Sequence, residues 1–186
     1  MAIAMVLATE AGCALAIGRY PRFAYNAQGG GGLAQGGDPG AEGWRSLVFD
    51  PATLVIPALS SRTTRFLGVP LPPGLQIAIL PQSLEGLWHP ESGRVRLDFL
   101  ARFRPLVAGR AMAPDLLVST QLATEAVSGR RHQARGTPLD GRGVGVLVGI
   151  ATVAPTGEGW VDGFLGLPDE ALAVLRCRLS PQPAEG

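Results

Sequence analysis

Residues 94–104 read RVRLDFLARFR. Val95, Leu97, Phe99, Ala101 and Phe103 alternate with Arg94, Arg96, Asp98, Leu100, Arg102 and Arg104, the period of a strand that turns one face to a core and the other mostly to water. The preceding run Ser83–Trp88 is joined to it by His89-Pro90-Glu91-Ser92-Gly93, a turn with Pro early and Gly late, so the two runs predict an antiparallel hairpin. The same period recurs at Leu116–Thr124, where Leu116, Val118, Thr120 and Leu122 share a side. In Leu172–Leu179, Ala173, Leu175, Cys177 and Leu179 face away from Arg176 and Arg178. Val144–Val153 is a Val/Ile-rich strand interrupted by Gly145 and Gly149, as expected at a bend or a close backbone approach. Shorter strands are expected around Ser46–Phe49, Leu54–Ile56 and Leu75–Leu80, and a brief helix only near Pro168–Ala171. The expectation is an all-β fold, an antiparallel sandwich or barrel of about seven to eight strands, carrying an extended Gly-rich N-terminal arm. Residues 1–43 are read as the arm (apolar, then aromatic and basic, then Gly-rich), 44–180 as a single β domain, and 181–186 as a C-terminal tail.

Composition bounds the function. The chain has 186 residues, 46% hydrophobic and 17% charged, with net charge +1. A chain of this length and apolarity can bury a core without disulfides or structural metal. Near-neutral charge removes the attraction to phosphates on which nucleic-acid binders rely, so no nucleic-acid partner is expected. All 16 basic residues are Arg, as GC-rich coding would produce. Cys13 and Cys177 have no CxxC or Cys/His spacing near them, which gives no support for zinc or redox chemistry. Residues 1–18 are apolar but lack a basic start and carry Glu10, so they read as mature sequence or a presequence remnant, and no membrane span is expected.

No constellation nominates a reaction. His89 and His132 are the sole imidazoles and both fall in polar turns; there is no GxSxG, no HExxH, no calcium loop and no dinucleotide fingerprint. Asp169-Glu170 read as helix-start residues rather than an acid/base pair. Catalytic residues, metal ligands and cofactors are therefore all expected to be none. Two segments read as partner contacts instead. In the arm, Arg19, Tyr20, Arg22, Phe23 and Tyr25 interleave basic and aromatic groups ahead of Gly29–Gly32, a pattern that can stack on bases or grip a protein groove and is read as an arm docked on its own domain or on a partner protein. The loop 129–142 carries Arg130, Arg131, Arg135 and Arg142 against Asp140, a local basic patch. Phe66-Leu67-Gly68-Val69-Pro70 and Phe164-Leu165-Gly166-Leu167-Pro168 echo one another and are read as two similar corners, each leading into a strand.

The segments GRYPRFAYNAQGGGG, FLGVPLPPGL with its continuation through the 90–93 turn, and FLGLPDEALAVL resemble an uncharacterised β-rich family of cyanobacteria and plastids. The similarity covers most of residues 18–179. No catalytic residues come with it. The resemblance implies restriction to oxygenic phototrophs and a thylakoid-associated place, on the stromal or the lumenal side. It leads to one expected function: a non-enzymatic accessory or assembly subunit of a photosynthetic membrane complex, most plausibly a photosystem, docking through the arm and the β-domain surface. The alternative, from the strand pattern, is a soluble β-barrel carrier of a lipid, pigment or other apolar small molecule, lined by Leu97, Phe99, Phe103, Val118, Leu122, Val146 and Ile150. The same side chains would equally fill a solid core.

Overall fold

The computed structural model describes residues 3–182. In chain order the strands are β1 (Ile3–Thr9), β2 (Cys13–Ile17), β3 (Phe23–Tyr25), β4 (Gly31–Pro39), β5 (Arg45–Phe49), β6 (Thr64–Phe66), β7 (Val69–Pro70), β8 (Leu75–His89), β9 (Arg94–Val107), β10 (Arg110–Ala111), β11 (Leu116–Ala123), β12 (Ala126–Ser128), β13 (Gln133–Arg135), β14 (Val144–Val153) and β15 (Asp169–Pro181). One helix, α1 (Gly159–Leu165), lies between β14 and β15. The chain is all-β and antiparallel, as expected. β1, β4, β5, β8, β9, β11, β14 and β15 follow one another around a sheet, and β15 returns to pair with β1, closing a barrel.

The alternating run that opened the sequence reading is the middle of β9, paired with β8 through Trp88↔Val95 and with β11 through Val118↔Ala101. Its inward side chains Val95, Leu97 and Ala101 are buried. On its edge away from β14, β15 serves two neighbours: Ala171–Val174 pairs with β2, and Cys177–Pro181 with β1. β1 and β2 therefore form one stave interrupted at Glu10–Gly12. Beyond β2 the sheet runs on through β3, β6 and β7, and an antiparallel bridge between Leu59 and Ile77 ties this extension back to β8. The barrel thus has two distinct ends. At one, β8 turns into β9 under Trp44, whose ring lies 5.2 Å from both the Arg94 and Arg96 guanidinium carbons. At the other, the connection from β14 to β15 carries α1 across the opening.

The arm is where the sequence reading is corrected. Residues 3–39 supply β1, β2, β3 and β4, so the boundary at residue 43 does not separate an arm from a barrel. Crowding requires the glycines at 30–32: a Cβ on Gly31 (φ +144°) would stand 1.8 Å from the Leu7 carbonyl oxygen. Flexibility and crowding leave the same mark in a sequence. The brief helix is also displaced. It forms at Gly159–Leu165 and stops at Gly166, which is left-handed, while Asp169-Glu170 begin β15 instead of a helix. The tail is shorter than expected, since Pro181 ends β15 and the Gln182 N–H donates to the Ala4 carbonyl at 2.8 Å. The remainder of that tail, 183–186, lies outside the described residues.

Two apolar clusters fill the interior. Met5, Leu7, Leu47, Phe49, Leu97 and Leu147 belong to one, under β1, β4 and β5. Tyr25, Ala27, Leu59, Ile79 and Ala101 belong to the other, nearer α1.

Candidate functional site

The barrel is not packed solid to the α1 end. Between α1 and the second cluster lies a cavity of about 410 Å³, inside the range of small-molecule sites. Its wall is built in layers. Leu15 and Ile17 come from β2, Phe23 from β3, Ile77 from β8 and Phe103 from β9. Leu116, Val118 and Thr120 follow from β11, then Gly149, Ala151 and Val153 from β14 and Ala171 to Ala173 from β15. Trp160, Val161, Phe164 and Leu165 of α1 form the roof, with Met112 at its edge. The wall is hydrocarbon almost throughout. Its one hydroxyl, Thr120 Oγ1, donates to the Ile150 carbonyl at 2.8 Å and is already satisfied. A space lined this way stays free of bound water and favours an apolar occupant. A second void of about 70 Å³ shares Leu15, Phe103 and Ala173 with the first and continues between Phe99, Leu84 and Leu122. The two voids are separate and meet at those shared side chains.

Small residues create the space. Ala151 faces Ala171 across the β14–β15 ladder, and Gly149 faces Ala173. Between β11 and β14 the ladder records Ala123↔Val148 as partners, and the Thr120 hydroxyl bond holds the strands further along. The approach to α1 is fixed by Asp162, whose carboxylate accepts from the Thr156 N–H and hydroxyl, both at 2.7 Å, and from the Gly157 N–H at 3.0 Å. Those bonds, Thr156 first, hold the Asp162 carboxyl below its usual range. Asp162 therefore pins α1 to the loop that leads into it.

Of the lining residues named from the sequence, Phe103 and Val118 line the main cavity, and Phe99 and Leu122 the inner void. Leu97 is buried in the packed first cluster instead. Val146 and Ile150 are corrected: on β14 it is Gly149, Ala151 and Val153 that face the cavity, so both even-numbered residues sit on the opposite side of the strand. With Val, Ile or Leu on both faces of this run, no polar alternation marks which face is inward. Sequence reasoning missed much of the wall, Leu15, Ile17, Ile77, Ala151 and Val153 among it, and the whole roof of Trp160, Phe164 and Leu165, since short apolar words in a Gly-rich loop carry no period.

The proposed partner contacts are dispersed. Arg19 and Arg22 are exposed in the turn between β2 and β3, and Arg22 Nη2 donates to the Gln133 carbonyl at 2.6 Å. The Tyr20 hydroxyl donates to the Phe164 carbonyl, and their rings lie 5.9 Å apart, so Tyr20 holds the end of α1. Phe23 lines the cavity. Tyr25 is buried with its hydroxyl donating to the Pro57 carbonyl, which removes it from any docking surface. In the Arg-rich loop, the buried Glu170 carboxylate accepts the backbone N–H groups of Arg130, Arg131 at 2.8 Å and His132 at 3.3 Å. Arg131 Nε donates to Asp169 at 2.7 Å. The Arg131 and Arg130 N–H bonds are the main reason the Glu170 carboxyl lies below its ordinary value. Arg135 is exposed on β13 and Arg142 is exposed in the turn before β14, its N–H bonded to Asp140. Among the described residues no three His, Cys, Asp or Glu side chains gather as a metal site, and no helix is long and apolar enough to cross a membrane.

No family model, curated protein or solved structure matches this chain.

Proposed function

We propose that the protein is a carrier or binding protein for an apolar small molecule, such as a lipid tail or a pigment, held in the barrel under α1. The observation that carries this reading is the cavity of about 410 Å³ with a hydrocarbon wall and no unsatisfied polar group in it. Leaving such a space empty forfeits dispersion contacts along the whole wall, and an apolar occupant restores them. The apolar wall suits a hydrocarbon chain or ring, with any polar end at the α1 side. The test is solvent extraction of protein purified gently from its source, followed by mass spectrometry. One apolar compound at near-stoichiometric amount supports the reading, and its absence from every preparation sinks it.

A second reading is an accessory or assembly subunit of a photosynthetic membrane complex. It rests on the exposed Arg19 and Arg22 and on the resemblance to the plastid and cyanobacterial family. Co-purification of a chlorophyll-containing complex from solubilised thylakoids, lost on Arg19→Ala/Arg22→Ala, would favour it over the carrier.

A further inference from the structure

Among the described residues, six of the eleven large hydrophobic side chains left in water, the three most exposed among them, lie at one end of the barrel. Strand register places the α1 end at the start of β8 and β11 and at the end of β9 and β14. Trp160 and Phe164 of α1 are 53% and 66% exposed there. Leu67 and Val69, at the turn between β6 and β7, are 73% and 64% exposed. Their strand extends from β3, whose Phe23 lines the cavity, so this turn belongs to the same end. Exposed Val107 and Met112 follow at the end of β9 and before β11. The two echoed words, FLGVP and FLGLP, are thus not equivalent corners: one is a strand turn and the other a helix terminus, yet each puts apolar side chains on this rim.

Exposed arginines without ion-pair partners surround the rim. Arg19, Arg22, Arg65 and Arg110 are exposed and make no ion pair among the described residues. The carboxylates nearby are committed: Asp115 to Arg104, Asp169 to Arg131, Asp162 and Glu170 to backbone N–H groups. Asp162 and Glu170 keep their negative charge in those bonds, so with Glu158 three carboxylates stand against the four guanidiniums, leaving a net excess of one positive charge.

We propose that this rim docks on the surface of a lipid bilayer bearing anionic headgroups, the apolar side chains entering the interface and the arginines meeting the headgroups. Aromatic and aliphatic side chains ringed by arginines are the composition of interfacial membrane-binding surfaces, and Arg can keep its charge at headgroup level while its stem stays among chains. An apolar patch open to water alone would be a liability. Trp160 and Phe164 both touch the cavity and solvent, so docking would put the cavity roof against the acyl chains. The surface stands on its own observations and does not depend on the cavity being occupied.

Flotation of the full-length protein with vesicles tests this, using phosphatidylcholine alone and phosphatidylcholine mixed with phosphatidylglycerol. The expected result is partition onto the mixed vesicles, weakened by salt, and reduced about tenfold or more by Trp160→Ser/Phe164→Ser. Val48→Ser/Leu87→Ser, exposed apolar side chains on the strands away from the rim, should float like wild type. Failure of the protein to float with either vesicle overturns the proposal, as does equal loss in the two double variants. It is also overturned if the rim variant merely turns a dimer into a monomer, or if capture requires a membrane protein complex instead of lipid. Val118→Trp, which obstructs the cavity, should float unchanged, so loss of ligand binding and loss of membrane binding are read separately.

Discussion

Ala151→Leu and Ala101→Leu make a matched pair that separates a cavity from a core. Both alanines are buried in central strands, but Ala151 lines the cavity whereas Ala101 sits in the packed second cluster, fully enclosed. At Ala151 the added carbons enter existing space, gaining roughly 2 kcal/mol of transfer free energy at ~0.8 kcal/mol per methylene. Side-chain entropy takes back about 0.5–1 kcal/mol, leaving a net stabilisation of roughly 1–1.5 kcal/mol. At Ala101 the same atoms have no room, and overpacking costs about 1–3 kcal/mol. The two variants should therefore differ by ~2–4 kcal/mol in opposite directions. Urea unfolding of solvent-extracted protein reads this as midpoint shifts of opposite sign at unchanged slope. If Ala151→Leu lowers the midpoint as far as Ala101→Leu does, the interior under α1 is solid and the binding argument loses its basis.

Other consequences are local. Tyr25→Phe removes the hydroxyl that donates to the Pro57 carbonyl and should cost about 1–1.5 kcal/mol, measured by the same unfolding experiment. Glu170→Gln should lower the melting temperature at neutral pH by loosening the backbone of residues 130–132. The Glu170 carboxyl lies below its ordinary 4.5 when folded, so its contribution is complete above 4.5 and is lost as pH falls from there through the lower folded-state value. The melting-temperature gap between Glu170→Gln and wild type should accordingly narrow in acid. Burial pushes the Cys177 thiol up to about 12 and raises that of Cys13, so neither should react with a thiol reagent at mild alkaline pH until the protein unfolds.

Much of the barrel was legible because β9 and β11 each set one face in the interior and the other in water. Val95 through Phe103 and Leu116 through Leu122 carry that asymmetry residue by residue, and both face assignments agree with the structure. Val144–Val153 was legible as a strand but not as to its face, since its outward Val146 and Ile150 are as apolar as its inward Ala151 and Val153. The N-terminal staves were obscured for a different reason. Gly30 to Gly32 are forced by the close passage of Leu7, Thr9 and Leu54, long-range partners that composition cannot reveal. The cavity itself is a property of what is missing, small side chains at Gly149, Ala151, Ala171 and Ala173 set opposite one another by register. Only the pairing of β14 with β15 brings those four together. The roof was invisible because α1 spans too few residues to show a helical period.

The most direct test of the central claim is a titration of solvent-extracted, full-length protein with an environment-sensitive apolar fluorophore, run beside Val118→Trp. Saturable binding at one site per chain, abolished in Val118→Trp while that variant keeps its fold, is the predicted result. Absence of saturable binding, or equal binding to the obstructed variant, would contradict the assignment of the barrel as a container for an apolar molecule.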